Sequence, residues 1–110
     1  MPKLSKAKRP KRRWIGLEVH GRLEDRTSIE NAVAKALGDG PRLYDAVPAS
    51  KRGEEVGVAV VCVVLAEAPR HRAFLSSPEA WEVHGLRSVT TSGKIRLVRE
   101  RLALPRPPRR

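Results

Sequence analysis

The chain has 110 residues, enough for one domain and no more, and a formal net charge of +11. Residues 1–13 carry +7 and residues 93–110 carry +6, while residues 14–92 sum to −2. A nearly neutral body with two basic ends argues against a cationic partner and for a polyanion, since Lys and Arg that neutralise phosphates release their counterions. Solubility alone does not require the whole excess to gather at the ends.

In chain order, residues 1–12 form a polar, basic arm with Pro2 and Pro10, expected to order only on a partner. Residues 13–20 read as a half-buried strand, because Ile15, Leu17 and Val19 alternate with Trp14, Gly16, Glu18 and His20. A turn over 21–25 leads into a helix. Thr27 and Glu30 have capping-box spacing, and Ile29, Ala32, Val33, Ala36 and Leu37 make one apolar stripe that Gly38, Asp39, Gly40 and Pro41 terminate. Residues 43–47 form a second strand and 48–54 a loop. Residues 56–65, rich in valine, read as a central strand buried on both faces.

A short helix follows, with two competing placements. One covers 69–75 with Pro69 in its first turn; the other starts at Ser77-Pro78-Glu79 and stops at Gly85. Residues 86–91 form a last strand. From Ser92 onward Ile95, Val98 and Leu102 give a narrow helical stripe flanked by Lys94, Arg96, Arg99 and Arg101, and Pro105, Pro107 and Pro108 end regular structure. The pattern predicts one α/β (α+β) sandwich over 13–104, of ferredoxin-like βαββαβ type, with a C-terminal basic helix and a basic Pro/Arg tail over 105–110.

Motifs of catalysis and metal binding are missing from the sequence. His20, His71 and His84 are scattered, Cys62 is the lone cysteine, and no zinc-finger spacing, Walker loop or nucleophile elbow occurs. Glu24-Asp25 and Glu54-Glu55 fall in predicted turns, where a solvated surface is the simpler reading than a catalytic dyad. No catalytic residue, metal site or protein-bound cofactor is therefore expected. The ten-residue run 56–65 is too short to cross a bilayer. No apolar signal core follows the basic start, and a single cysteine excludes an intramolecular disulfide; both fit a cytoplasmic protein without membrane contact.

The candidate RNA contacts are Lys8, Arg9, Lys11, Arg12 and Arg13 at one end and Lys94, Arg96, Arg99 and Arg101 at the other. The few aromatic residues, Trp14, Tyr44, Phe74 and Trp81, sit in no ribonucleoprotein consensus, so contacts are expected to be to phosphates and shape. Trp14, beside Arg12-Arg13, could stack a base or belong to the core or a partner interface.

The two ends together resemble a known family. Arg12-Arg13-Trp14-Ile15, followed by Leu17-Glu18-Val19, is similar to the start of the Pop-five type subunit of ribonuclease P, called ribonuclease P protein component 2 in archaea. Val89-Thr90-Thr91-Ser92-Gly93-Lys94-Ile95-Arg96-Leu97-Val98-Arg99 is similar to that family's strand running into a Ser-Gly-Thr-Ile-Lys type motif and basic helix. The resemblance covers roughly residues 12–102. It implies a protein subunit whose partner, the catalytic ribonuclease P RNA with its own magnesium ions, removes the 5′ leader from precursor tRNA. It also implies pairing with a TIM-barrel-fold protein subunit and indirect contact with precursor tRNA; homodimerisation is left open. On this reading Ser92 caps the last helix, Gly93 allows a close backbone approach, and Lys94, Arg96, Arg99 and Arg101 face phosphates. A ribosomal protein gripping rRNA through basic extensions and a protein-assembly module are the alternatives; a DNA-binding role is disfavoured because no helix-turn-helix pairing is evident.

Overall fold

The computed structural model describes residues 11–104. They form β1 (Arg12–Val19), α1 (Arg26–Leu37), β2 (Arg42–Val47), α2 (Ala49–Arg52), β3 (Gly57–Val64), α3 (Ala68–Leu75), β4 (Leu86–Ser92) and α4 (Ile95–Arg101). The four strands make one antiparallel sheet in the order β2-β3-β1-β4, giving a small α+β domain compatible with a ferredoxin-like fold. Among the described residues no helix is long and apolar enough to cross a membrane.

Strand alternation sorts the sheet into two faces. Ile15, Leu17 and Val19 of β1 and Ala59, Val61 and Val63 of β3 point to one face, where Ile29, Val33 and Leu37 of α1 and Ala68 and Leu75 of α3 close the main core. On the other face Val58 and Val60 of β3 meet Val98 and Leu102, so α4 forms a third layer. β3 is the strand buried from both sides, as its valine content predicts: seven of its eight residues are buried, Val64 at its end excepted. Gly16, opposite Val60 on β1, clears the path of α4. A Cβ there would stand 2.8 Å from Thr90 Cγ2 and 2.9 Å from Val98 Cγ1.

Local signals moved some boundaries. The N-cap of α1 is Asp25 and not Thr27, because the Asp25 carboxylate accepts the Ser28 N–H at 2.7 Å and satisfies an orphan donor two residues earlier. That bond holds the Asp25 carboxyl below the usual carboxylate range. The 48–54 connection contains the single-turn helix α2. Both placements of the second helix are used: α3 ends at Leu75, and a π-type turn over Ala80–His84 ends at Gly85. Ser77 links them by donating to the Phe74 carbonyl at 2.6 Å and accepting the Ala80 N–H at 3.4 Å.

His71 faces the main core from α3 and is only 4% exposed. Burial pushes its imidazole below the ordinary value of 6.5, neighbouring Arg70 pushes the same way, and Glu67 partly offsets both. Because the unfolded chain takes up this proton first, the contribution is complete above pH 6.5 and is lost as the pH falls below it. Urea midpoints should therefore decline between about pH 7 and 5, and His71→Leu should flatten that part of the profile.

Candidate nucleic-acid interface

Strand pairing brings distant basic segments to one end of the sheet. β1 begins where β3 and β4 end and where β2 begins: Arg12 lies opposite Val64, Arg42 opposite Cys62, and Trp14 opposite both Cys62 and Ser92. This entry end gathers Lys11, Arg12 and Arg13 from β1 and its approach, Arg42 from β2, and Lys94 and Arg96 from the start of α4. All but the half-buried Arg13 are exposed. The loops at the far end mix Glu24, Glu54, Glu55 and Glu82 with Arg22, Lys51 and Arg52, so the concentration of positive charge lies at the entry end.

On the face that carries α4, side chains fall in rows across the sheet. The row nearest the entry end is Arg12 with Val64, followed by Arg42, Cys62, Trp14 and Ser92. The row of Asp45, Val60, Gly16 and Thr90 lies next, and there α4 is seated. α4 is fastened to both edges of the sheet. Arg99 forms an ion pair with Asp45 of β2, and Arg101 donates to Thr90 Oγ1 at 2.9 Å and to the Thr91 carbonyl at 3.3 Å on β4.

This geometry corrects part of the sequence reading. Arg99 and Arg101, expected to face phosphates, also bond within the chain: Arg99 pairs with Asp45, while Arg101 bonds to Thr90 and Thr91 and stays exposed. Arg99 is only 18% exposed. The apolar stripe of Val98 and Leu102 turns inward, and residues on either side of it reach the edge strands. Ser92 is not the N-cap of α4. That position falls on Lys94 without a side-chain cap bond, and Ser92 Oγ instead accepts the Lys94 N–H at 3.1 Å in the turn before the helix. Gly93 does permit a close approach, but by a side chain of this protein: Arg13 Nη1 would lie 3.0 Å from a Cβ there and also donates to the Arg12 carbonyl at 3.2 Å. Lys8, Arg9 and the 105–110 tail lie outside the described residues.

Sequence reasoning missed Arg42 and Tyr44. Arg42 stands just before the expected strand 43–47 and Tyr44 within it, and their proximity to Arg12 depends on β3 pairing with both strands. Trp14 is half-buried and packs edge-to-face on Tyr44, with ring centroids 4.6 Å apart. Between Arg12 and Arg42 lies a hollow of about 100 Å³, with Cys62, Val64 and Gly40 in its walls. Burial pushes the Cys62 thiol up, and the Arg12 and Arg42 guanidiniums oppose that shift.

The histidines stand apart. His20 packs against Trp81 and His84 against Phe74, and Arg87 lies 4.3 Å over the Trp81 ring while pairing with Glu18 at 2.5 Å. Among the described residues no group of three or more His, Cys, Asp or Glu side chains could hold a metal ion. No family model matches the chain, and no curated protein matches it.

Proposed function

We propose that this chain is an RNA-binding protein subunit of ribonuclease P type, without catalytic residues of its own, that supports a catalytic RNA in 5′-leader removal from precursor tRNA. The observation that carries the reading is the gathering of Lys11, Arg12, Arg42, Lys94 and Arg96 at one end of the sheet, all five exposed, on three separate segments around a hollow that Arg12 and Arg42 line. Point charges converging from separate segments suit a curved phosphate backbone better than a small anion, which a single pair would satisfy. Lys8 and Arg9 extend the same cluster in sequence.

The resemblance of the first strand and of the 89–99 segment supplies the ribonuclease P assignment. The strand order β2-β3-β1-β4 supports the finer ferredoxin-like reading, since each crossover helix joins two strands with a third inserted between them. On this reading magnesium is held by the partner RNA, and a TIM-barrel-fold subunit is the protein partner.

Purifying the tagged protein from its native cells and sequencing the bound RNA tests the proposal. The expected result is one dominant structured RNA of ribonuclease P type, with precursor-tRNA cleavage in the eluate. Recovery of rRNA in ribosomal stoichiometry would transfer the chain to the ribosome, and recovery of no RNA would end the reading.

A further inference from the structure

The entry-end face holds a feature that phosphate contacts alone do not use. Tyr44 is 41% exposed, one of the few large hydrophobic side chains in that state. It occupies an irregularity of β2, where the register with β3 shifts between Leu43 and Asp45. A regular strand would give residue 44 a fixed partner on β3, whereas the bulge turns its ring toward Trp14. In an edge-to-face pair each ring keeps at least one face clear of the other. Along the outer edge of β2 runs a concavity of about 440 Å³, lined by Glu30, Pro41, Arg42, Leu43 and Tyr44. Arg42 also lines the smaller hollow it shares with Arg12. The order along the surface is thus guanidinium, guanidinium, aromatic ring.

We infer that this track binds an unpaired nucleotide of RNA, with its base against the Tyr44 ring in the β2 concavity and its flanking phosphates on Arg12 and Arg42. The inference rests on the RNA-binding reading above and deepens it by naming a single-stranded element as the ligand of this face. Charge sets the polarity. Glu30 lines the concavity and Arg26 donates to the Leu43 and Tyr44 carbonyls beside it at 3.2 and 3.3 Å, so charge there is near balance and suits an uncharged base, while the backbone stays on the side of Arg12 and Arg42. Duplex RNA keeps its bases stacked within the helix and cannot offer one to Tyr44. The neighbouring carboxylate on this face, Asp45, is already paired with Arg99 and does not compete for Arg42.

Fluorescence anisotropy with a labelled short oligoadenylate, set beside a short RNA duplex, reads the two modes separately on the full chain. Tyr44→Ala should weaken oligoadenylate binding roughly 5- to 100-fold with an unchanged salt slope and leave duplex binding within about twofold. Tyr44→Phe keeps the π-face and should bind within about threefold of the parent. Arg12→Gln with Arg42→Gln should instead lower the single-strand salt slope by about 1.4. A second measurement does not depend on the alanine variant folding. In Trp81→Phe the sole tryptophan is Trp14, in contact with Tyr44, and its emission should change as oligoadenylate is added. Equal oligoadenylate affinity in Tyr44→Ala and the parent, equal losses for both RNAs, or a silent Trp14 would overturn the stacking site while RNA binding stands. Failure of the unmodified protein to bind either RNA would instead overturn the RNA-binding reading itself.

Discussion

Gly16→Ala is expected to lower stability by about 1–3 kcal/mol, with the loss concentrated on the seating of α4. The added Cβ meets Thr90 Cγ2 of the neighbouring strand β4 at 2.8 Å, Val98 Cγ1 of α4 at 2.9 Å and Leu102 Cδ1 of its C-cap at 3.1 Å. Neither neighbour yields easily. Thr90 is fixed in β4 and bonded to Arg101, while Val98 is fully buried and stiff at χ1. The helix must therefore lift. Lifting it exposes Val58 and Val60 and strains the links of Arg99 to Asp45 and of Arg101 to Thr90. For a domain of this size the melting temperature should fall by roughly 5–20 °C. Hydrogen exchange should quicken first in α4 and only later in β1 and β3, because the main core of Ile15, Leu17 and Val61 lies on the opposite face. A double-mutant cycle with Val98→Ala isolates the cause: the pair should cost less than the sum of the single changes. Strict additivity would show that the glycine serves some other purpose.

Neutralising the entry end should have the largest effect on function. Changing Arg12, Arg42 and Lys94 together to Gln removes three cations from three segments that converge there, and should lower the salt slope of structured-RNA binding by about three. At physiological salt that corresponds to roughly a hundredfold loss of affinity. Stability should be nearly unchanged, since all three side chains are exposed. The informative contrast lies within α4. Arg96→Gln should lower the slope by about one, whereas Arg99→Gln should leave the slope in place and cost about 1–3 kcal/mol of stability by stranding Asp45. Filter binding across a salt series and urea denaturation of the same variants separate the two kinds of arginine. A slope that Arg99→Gln lowers as much as Arg96→Gln would mean that the ion pair opens on RNA.

Much of the fold was legible because its signals are local. Strand alternation in residues 13–20, the apolar stripe from Ile29 to Leu37 and the valine-rich run at 56–65 each follow from side chains that must be buried on one face, one stripe or both faces. Capping was less legible, since Asp25 and Thr27 are both competent and only the path of the chain out of β1 chooses between them. The two placements of the second helix competed on paper because each had a valid start and stop. The chain uses both, with Ser77 bonding to either side of the junction.

For the candidate interface, the sequence by itself determined the sign of the charge and its concentration at the two ends, because net charge is additive and independent of conformation. It also determined that α4 would carry an apolar stripe among basic residues. Which basic residues meet solvent was decided by tertiary structure alone. Arg96 and Arg99 look alike in sequence, but the seating of α4 through Val98 and Leu102 leaves one outside and sets the other against Asp45, half a chain away. The same holds for Arg12, Arg42 and Tyr44, which share one face only because β3 lies between β1 and β2 and fixes the register of both. Local patterns encode what a segment buries. Long-range pairing decides which segments become neighbours, and the chemistry of this surface depends on that second choice.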